Sequence, residues 1–120
     1  MREEIEKWLQ DICDHTTLPE NVVALNFGLY EAECGYGLYL DGSAEYDEDD
    51  DDWACDVVYE SDYLNLCGPE LEAMPWKDFL NRVVDILTAL LSDMSQNKNS
   101  PFYGKIVTTG FEDGELIRIQ

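Results

Sequence analysis

Asp47–Asp52 is an unbroken run of carboxylates, introduced by Glu45 and Tyr46 and closed by Trp53. Dense carboxylates first suggest calcium. An EF-hand loop needs oxygen ligands at positions 1, 3 and 5, glycine at 6 and a bidentate glutamate at 12. Counting from Asp47 supplies Asp49 and Asp51, but Asp52 stands where glycine belongs and Val58 where glutamate belongs. The template fails, and the run reads as a solvated acidic segment.

Other chemistry is no better supplied. Cys13, Cys34, Cys55 and Cys67 contain no C-x-x-C pair, and only Cys13 and His15 have the close spacing that structural zinc sites use. No nucleophile motif surrounds Cys34 in Glu33-Cys34-Gly35-Tyr36-Gly37, and His15 is the sole histidine. A phosphate loop, a dinucleotide fingerprint and a metalloprotease motif are all missing from the sequence. Paired acids for proton transfer work in apolar clefts with separated pKa values, and the sequence singles out no such pair. No catalytic, cofactor-binding or metal-ligating residue is assigned, and an enzyme using carboxylate chemistry ranks last.

Binding suits these residues better. Aromatic side chains beside charges are characteristic of interface hot spots. The residues assigned to a partner surface are therefore Glu45, Tyr46, Asp47, Glu48, Asp49, Asp50, Asp51, Asp52 and Trp53, with Tyr39, Asp41 and Asp56 from neighbouring strands. The bland alternative is a solvated loop beside an ordinary wet sheet face.

The elements that must position these residues can be read from periodicity. Ile5, Trp8, Leu9 and Ile12 give one face to a helix over Arg2–Cys13. Val23, Leu25, Phe27 and Leu29 alternate with Ala24, Asn26, Gly28 and Tyr30 in a strand from Val22 to about Glu31. A turn at Glu31–Gly35 returns the chain into a strand from Tyr36 to about Asp41. The acidic run then connects to a third strand, Trp53–Tyr59, and so belongs at the tip or edge of a sheet. The sheet face opposite the helices would carry Asn26, Tyr30, Tyr39, Asp41, Asp56 and Glu60, with Gly28 and Gly37 leaving room for close approach or for tyrosines to lie flat.

Ser61–Met74 reads as irregular, broken by Gly68-Pro69. Pro75 starts a long helix with an apolar stripe of Trp76, Leu80, Val83, Leu87, Leu90, Leu91 and Met94. A closing hairpin joins Tyr103–Thr109 to Glu115–Ile119. The order α-β-β-β-α-β-β predicts a single α+β domain over residues 1–120. Its expected form is a two-layer sandwich, an antiparallel sheet of about five strands with two helices on one face.

Composition narrows the partners. The net charge is −20, and no Lys or Arg lies between Lys7 and Lys77, an interval holding most of the 27 acids. Such a field repels nucleic acid and anionic membranes and accelerates encounter with a basic protein. The apolar content of 45% is enough for a core. The opening Met-Arg-Glu-Glu-Ile-Glu-Lys-Trp has no secretory h-region, and no apolar run reaches the ~20 residues of a membrane span. A cytoplasmic protein with reduced thiols is the expectation.

Size, expected cytoplasmic character, α+β element order and the stretch Tyr36-Gly-Leu-Tyr-Leu-Asp-Gly-Ser43 leading into Tyr46-Asp-Glu-Asp-Asp-Asp-Asp-Trp53-Ala-Cys resemble small acidic bacterial immunity proteins of polymorphic-toxin and contact-dependent inhibition systems. The resemblance implies occlusion of a basic, nuclease-like toxin site. It carries over no family-defined binding residue. The alternatives are an accessory or structural domain whose acidity serves solubility or cation tolerance, and a nucleic-acid mimic.

Overall fold

The apolar alternation of the first strand decides which way the sheet faces. In the computed structural model, which describes residues 1–55, 57–112 and 114–120 apart from the side chains of Asp52 and Cys55, Leu25, Phe27 and Leu29 are fully buried. They lie on β1 (Ala24–Ala32), paired antiparallel with β2 (Gly35–Ser43) so that Phe27 opposes Leu40 and Leu29 opposes Leu38. Against this face pack Ile5, Leu9 and Ile12 of α1 (Arg2–His15). Beside them sit Phe79, Val83, Leu87, Leu90 and Leu91 of α3 (Trp76–Met94). Both long helices thus cover one face, and a mixed α+β domain with an open sheet results.

The remaining elements are a short 3₁₀ helix (Asp51–Cys55), β3 (Val57–Glu60), β4 (Leu64–Cys67), α2 (Pro69–Glu72), β5 (Ile106–Phe111) and β6 (Ile117–Arg118). The sheet order is β3-β2-β1-β5-β6, and β4 also pairs with β2. β3 and β4 divide the outer edge of β2 between them, at Asp41–Ser43 and Gly35–Leu38 respectively.

Four expectations are corrected. The sheet has six strands, accompanied by three α-helices among the described residues, and it is not purely antiparallel, because β5 lies parallel to β1 from Ala24↔Ile106 to Leu29↔Phe111. The long chain segment through α3 allows that parallel return, which a tight hairpin could not make. Residues 53–55 form a 3₁₀ turn rather than the start of a strand. Ser61–Met74 is not irregular, since it supplies β4 and α2. The pairing of β4 with β2 sets Gly35 opposite Cys67, and Cys34 is joined to Cys67 by a disulfide, Cα atoms 4.8 Å apart. Those two cysteines are thus paired, where reduced thiols were expected.

Phe79, outside the predicted stripe, is central to the core. Its ring stacks on Tyr36 at 4.2 Å, and the Tyr36 hydroxyl donates to the Met74 carbonyl at 2.5 Å, tying β2 to the residue before Pro75. Among the described residues no helix is long and apolar enough to cross a membrane.

Candidate functional site on the open sheet face

The face turned away from the helices is set by the same alternation. Asn26, Gly28 and Tyr30 on β1 share it with Gly37, Tyr39 and Asp41 on β2, and with Thr108 and Gly110 on β5. Tyr39 crosses to cover Gly28, and Tyr30 covers Gly37, each ring occupying the space a β-carbon would need. Only glycine permits so close an approach of ring to backbone.

Tyr63, just before β4, completes the aromatic group. Its ring lies 5.2 Å from Tyr39 and 5.6 Å from Tyr30, and Tyr30 and Tyr39 lie 6.2 Å apart. The Tyr30 hydroxyl donates to Asn65 Oδ1 at 2.6 Å, fixing its ring. Tyr63 remains 63% exposed, so the cluster ends in a solvent-facing ring.

Carboxylates surround these rings. Asp41 opposes Glu60 across the β2–β3 pair, and Glu112 follows directly on β5. Desolvation, Glu60 and Glu112 together push the Asp41 carboxyl up to about 6. Burial also pushes the Tyr39 hydroxyl up, reinforced by the neighbouring Glu112. Tyr39 therefore stays a neutral donor at physiological pH.

The acidic run does not project from a sheet edge alone. Asp47 opens a local turn, its Oδ1 accepting from the Asp49 N–H at 2.9 Å. The chain then folds back over the open face. Trp53 is buried, only 5% exposed, with Tyr46 edge-on at 5.2 Å. At the far side of the sheet the Leu116 N–H donates to Asp51 Oδ2 at 3.3 Å, and Arg118 stands over the Tyr46 ring at 5.8 Å. An open cavity of about 510 Å³ lies beneath this arch, floored by Asn26, Tyr39 and Asp41. Asp51, Ala54, Val57, Gly110, Phe111, Glu112, Gly114 and Leu116 complete its lining.

The predicted partner residues are thus sorted. Glu45 and Asp47–Asp51 are exposed, Tyr39, Asp41 and Tyr46 are half-buried, and Trp53, expected at the surface, is buried against Tyr46. The Asp52 side chain and the whole of Asp56 lie outside the described residues. Tyr63, Asn65, Thr108 and Glu112 were missed. The alternation Tyr63-Leu64-Asn65-Leu66 was the available signal for β4, hidden beside the Gly68-Pro69 breaker. Among the described residues no group of three or more His, Cys, Asp or Glu side chains is arranged to hold a metal ion. The chain matches no family model, no curated protein and no solved structure.

Proposed function

We propose that this chain is a non-enzymatic acidic binding protein that captures a basic protein through its open sheet face. An immunity protein covering a basic, nuclease-like toxin site would work in this way. The observation that carries the reading is the convergence of Asp41, Glu60 and Glu112 with the Tyr30–Tyr39–Tyr63 cluster on the face opposite the two long helices. Tyrosines already packed against glycines and one another lose little conformational freedom on binding, and so add contact area at low entropic cost. The exposed acids at Glu45 and Asp47–Asp50 add to the negative field and would steer a cationic partner toward the protein.

The reading places the protein in the cytoplasm, where a delivered nuclease acts. The glutathione pool there opposes the Cys34–Cys67 bond, so the redox state of that pair in cells is a direct check on location.

The test is growth protection. The chain would be coexpressed with the catalytic domain of a secreted toxin encoded beside its gene, and survival scored for the wild type and for Asp41→Asn/Glu60→Gln/Glu112→Gln. The triple variant should remain folded and lose protection, and complex formation by the wild type should weaken steeply with salt. Equal survival of the two forms would remove the open face from the mechanism.

A further inference from the structure

We propose that the Cys34–Cys67 bond is a redox latch on the edge segment from Ser61 to Met74, whose reduction lets β4 open and removes the support of the tyrosine cluster.

The bond joins two places that are distant in the chain and adjacent in the sheet. Cys34 lies in the turn between β1 and β2, and Cys67 ends β4 opposite Gly35. Beside it the Gly68 N–H donates to the Cys34 carbonyl at 3.0 Å. Cys67 is exposed and Cys34 half-buried, so a reductant reaches the bond without disturbing the core. Exposed disulfides are the more readily reduced.

Little else holds this segment. β4 pairs with β2 over only four positions, from Gly35↔Cys67 to Leu38↔Leu64. Of its residues Leu66 alone is buried, and α2 buries none. Leu64, Leu71 and Met74 pack on the core only in part. At one end the Ser61 N–H donates to the Leu40 carbonyl at 2.9 Å, and Ser61 Oγ accepts from the Leu40 N–H at 2.8 Å. At the other end the Met74 carbonyl accepts from the Tyr36 hydroxyl. Edge segments with so few buried contacts open locally before the rest of a fold does. The covalent tie at Cys67 suppresses that opening.

The open face depends on this segment. Tyr63 stacks on Tyr39, and Asn65 within β4 holds the Tyr30 hydroxyl. Both contacts leave with β4, while the β1–β2 and β1–β5 ladders remain. Partner capture becomes redox-dependent as a result. That consequence rests on the binding reading above, and the latch itself does not.

The step is thiol–disulfide exchange with a dithiol. One thiolate of the reductant attacks Sγ of Cys67, the S–S bond breaks, and Cys34 leaves as a thiolate that takes up a proton. The second thiol of the reductant loses its proton and attacks the resulting mixed disulfide, and Cys67 is released and protonated. Two electrons pass to the protein, and the reductant departs as its own disulfide. An oxidised dithiol reverses the sequence once β4 has paired again with β2.

The experiment is limited chymotrypsin digestion of the intact protein, oxidised or reduced with dithiothreitol. Cuts are mapped by mass spectrometry, and far-ultraviolet circular dichroism is recorded for both forms. Both should keep the same spectrum. The first cuts of the reduced form should fall after Tyr63, Leu64 or Leu66, at least about tenfold faster than in the oxidised form, because cleavage follows the population of the open segment. Phe27, Leu29 and Phe79 should stay uncut over the same period, and reoxidation should restore resistance. Cys34→Ser/Cys67→Ser should behave as the reduced form in either condition, and Cys67→Ser alone serves if the double variant does not fold. Equal cutting of the two forms, or first cuts scattered along the chain, overturns the latch. Loss of the far-ultraviolet spectrum on reduction also overturns it, because the bond then holds the whole fold. Failure of both forms to bind the toxin domain strikes the binding reading and leaves the latch standing.

Discussion

Asp51 Oδ2 accepts the backbone N–H of Leu116 across 65 positions of sequence, so one residue of the acidic run is a tether between the arch and the last strand. The bond is 3.3 Å long and exposed, so it contributes less than about 1 kcal/mol. Asp51→Ala should leave global stability nearly unchanged and accelerate amide exchange at Leu116 several-fold. Asp49→Ala, in the turn at the start of the run, should not alter exchange at Leu116. Equal exchange at Leu116 in Asp51→Ala and wild type would refute the tether.

The Asp41 carboxyl makes stability depend on pH in a defined direction. Its folded value, about 6, lies above the ordinary 3.8, so the folded state holds the proton more tightly. Ionisation then opposes folding: the penalty is absent below pH 4, grows as pH rises through 6 and is complete above it. Asp41→Asn removes it. The melting temperature of the variant relative to wild type should therefore be flat near pH 4, climb between pH 4 and 7, and level off. A constant difference across that range would show that Asp41 does not titrate as described.

Gly28 and Gly37 hold the tyrosine cluster down. An alanine at either position places its methyl where the ring of Tyr39 or Tyr30 now lies, and the ring can swing outward. The stability cost should stay near 1 kcal/mol, the scale of the aromatic contact and hydrogen bond given up. Near-ultraviolet circular dichroism of Gly28→Ala should lose tyrosine signal while the far-ultraviolet spectrum is kept. An unchanged near-ultraviolet spectrum would mean that the stacked rings are not fixed by the glycines.

The Cys34–Cys67 bond closes a loop with a sequence separation of 33, bridging the β1–β2 turn to the end of β4. Constraint of the unfolded chain over such a loop corresponds to about 3–4 kcal/mol. Reduction, or Cys34→Ser/Cys67→Ser, should lower the melting temperature by roughly 10 °C. Alkylation under native oxidising conditions should spare Cys34 and Cys67. Labelling of both at the rate of Cys13 would show the bond to be open.

Much of this architecture is written locally. The alternation Leu25-Asn26-Phe27-Gly28-Leu29-Tyr30 divides the strand into two faces, and the structure turns Leu25, Phe27 and Leu29 to the core while Asn26 and Gly28 on the other face are buried as well, Gly28 beneath the Tyr39 ring. Gly28 and Gly37 signal close approach or flat-lying tyrosines because a missing β-carbon leaves space, and the structure fills that space with the rings of Tyr39 and Tyr30. Helix stripes at Ile5, Leu9 and Ile12 and at Val83, Leu87, Leu90 and Leu91 likewise follow from a period of 3.6 residues.

Tertiary structure decided what periodicity cannot carry. Local pattern says which side of a strand is apolar but not which strand lies beside it, so the parallel docking of β5 on β1 was invisible. With β4 unread, nothing placed Cys34 near Cys67. The acidic run was conspicuous by composition, and the charge distribution around it is a property of sequence alone. Its path over the open face depends on long-range contacts, the burial of Trp53 and the Asp51–Leu116 bond, which form only once both edges of the sheet are in place.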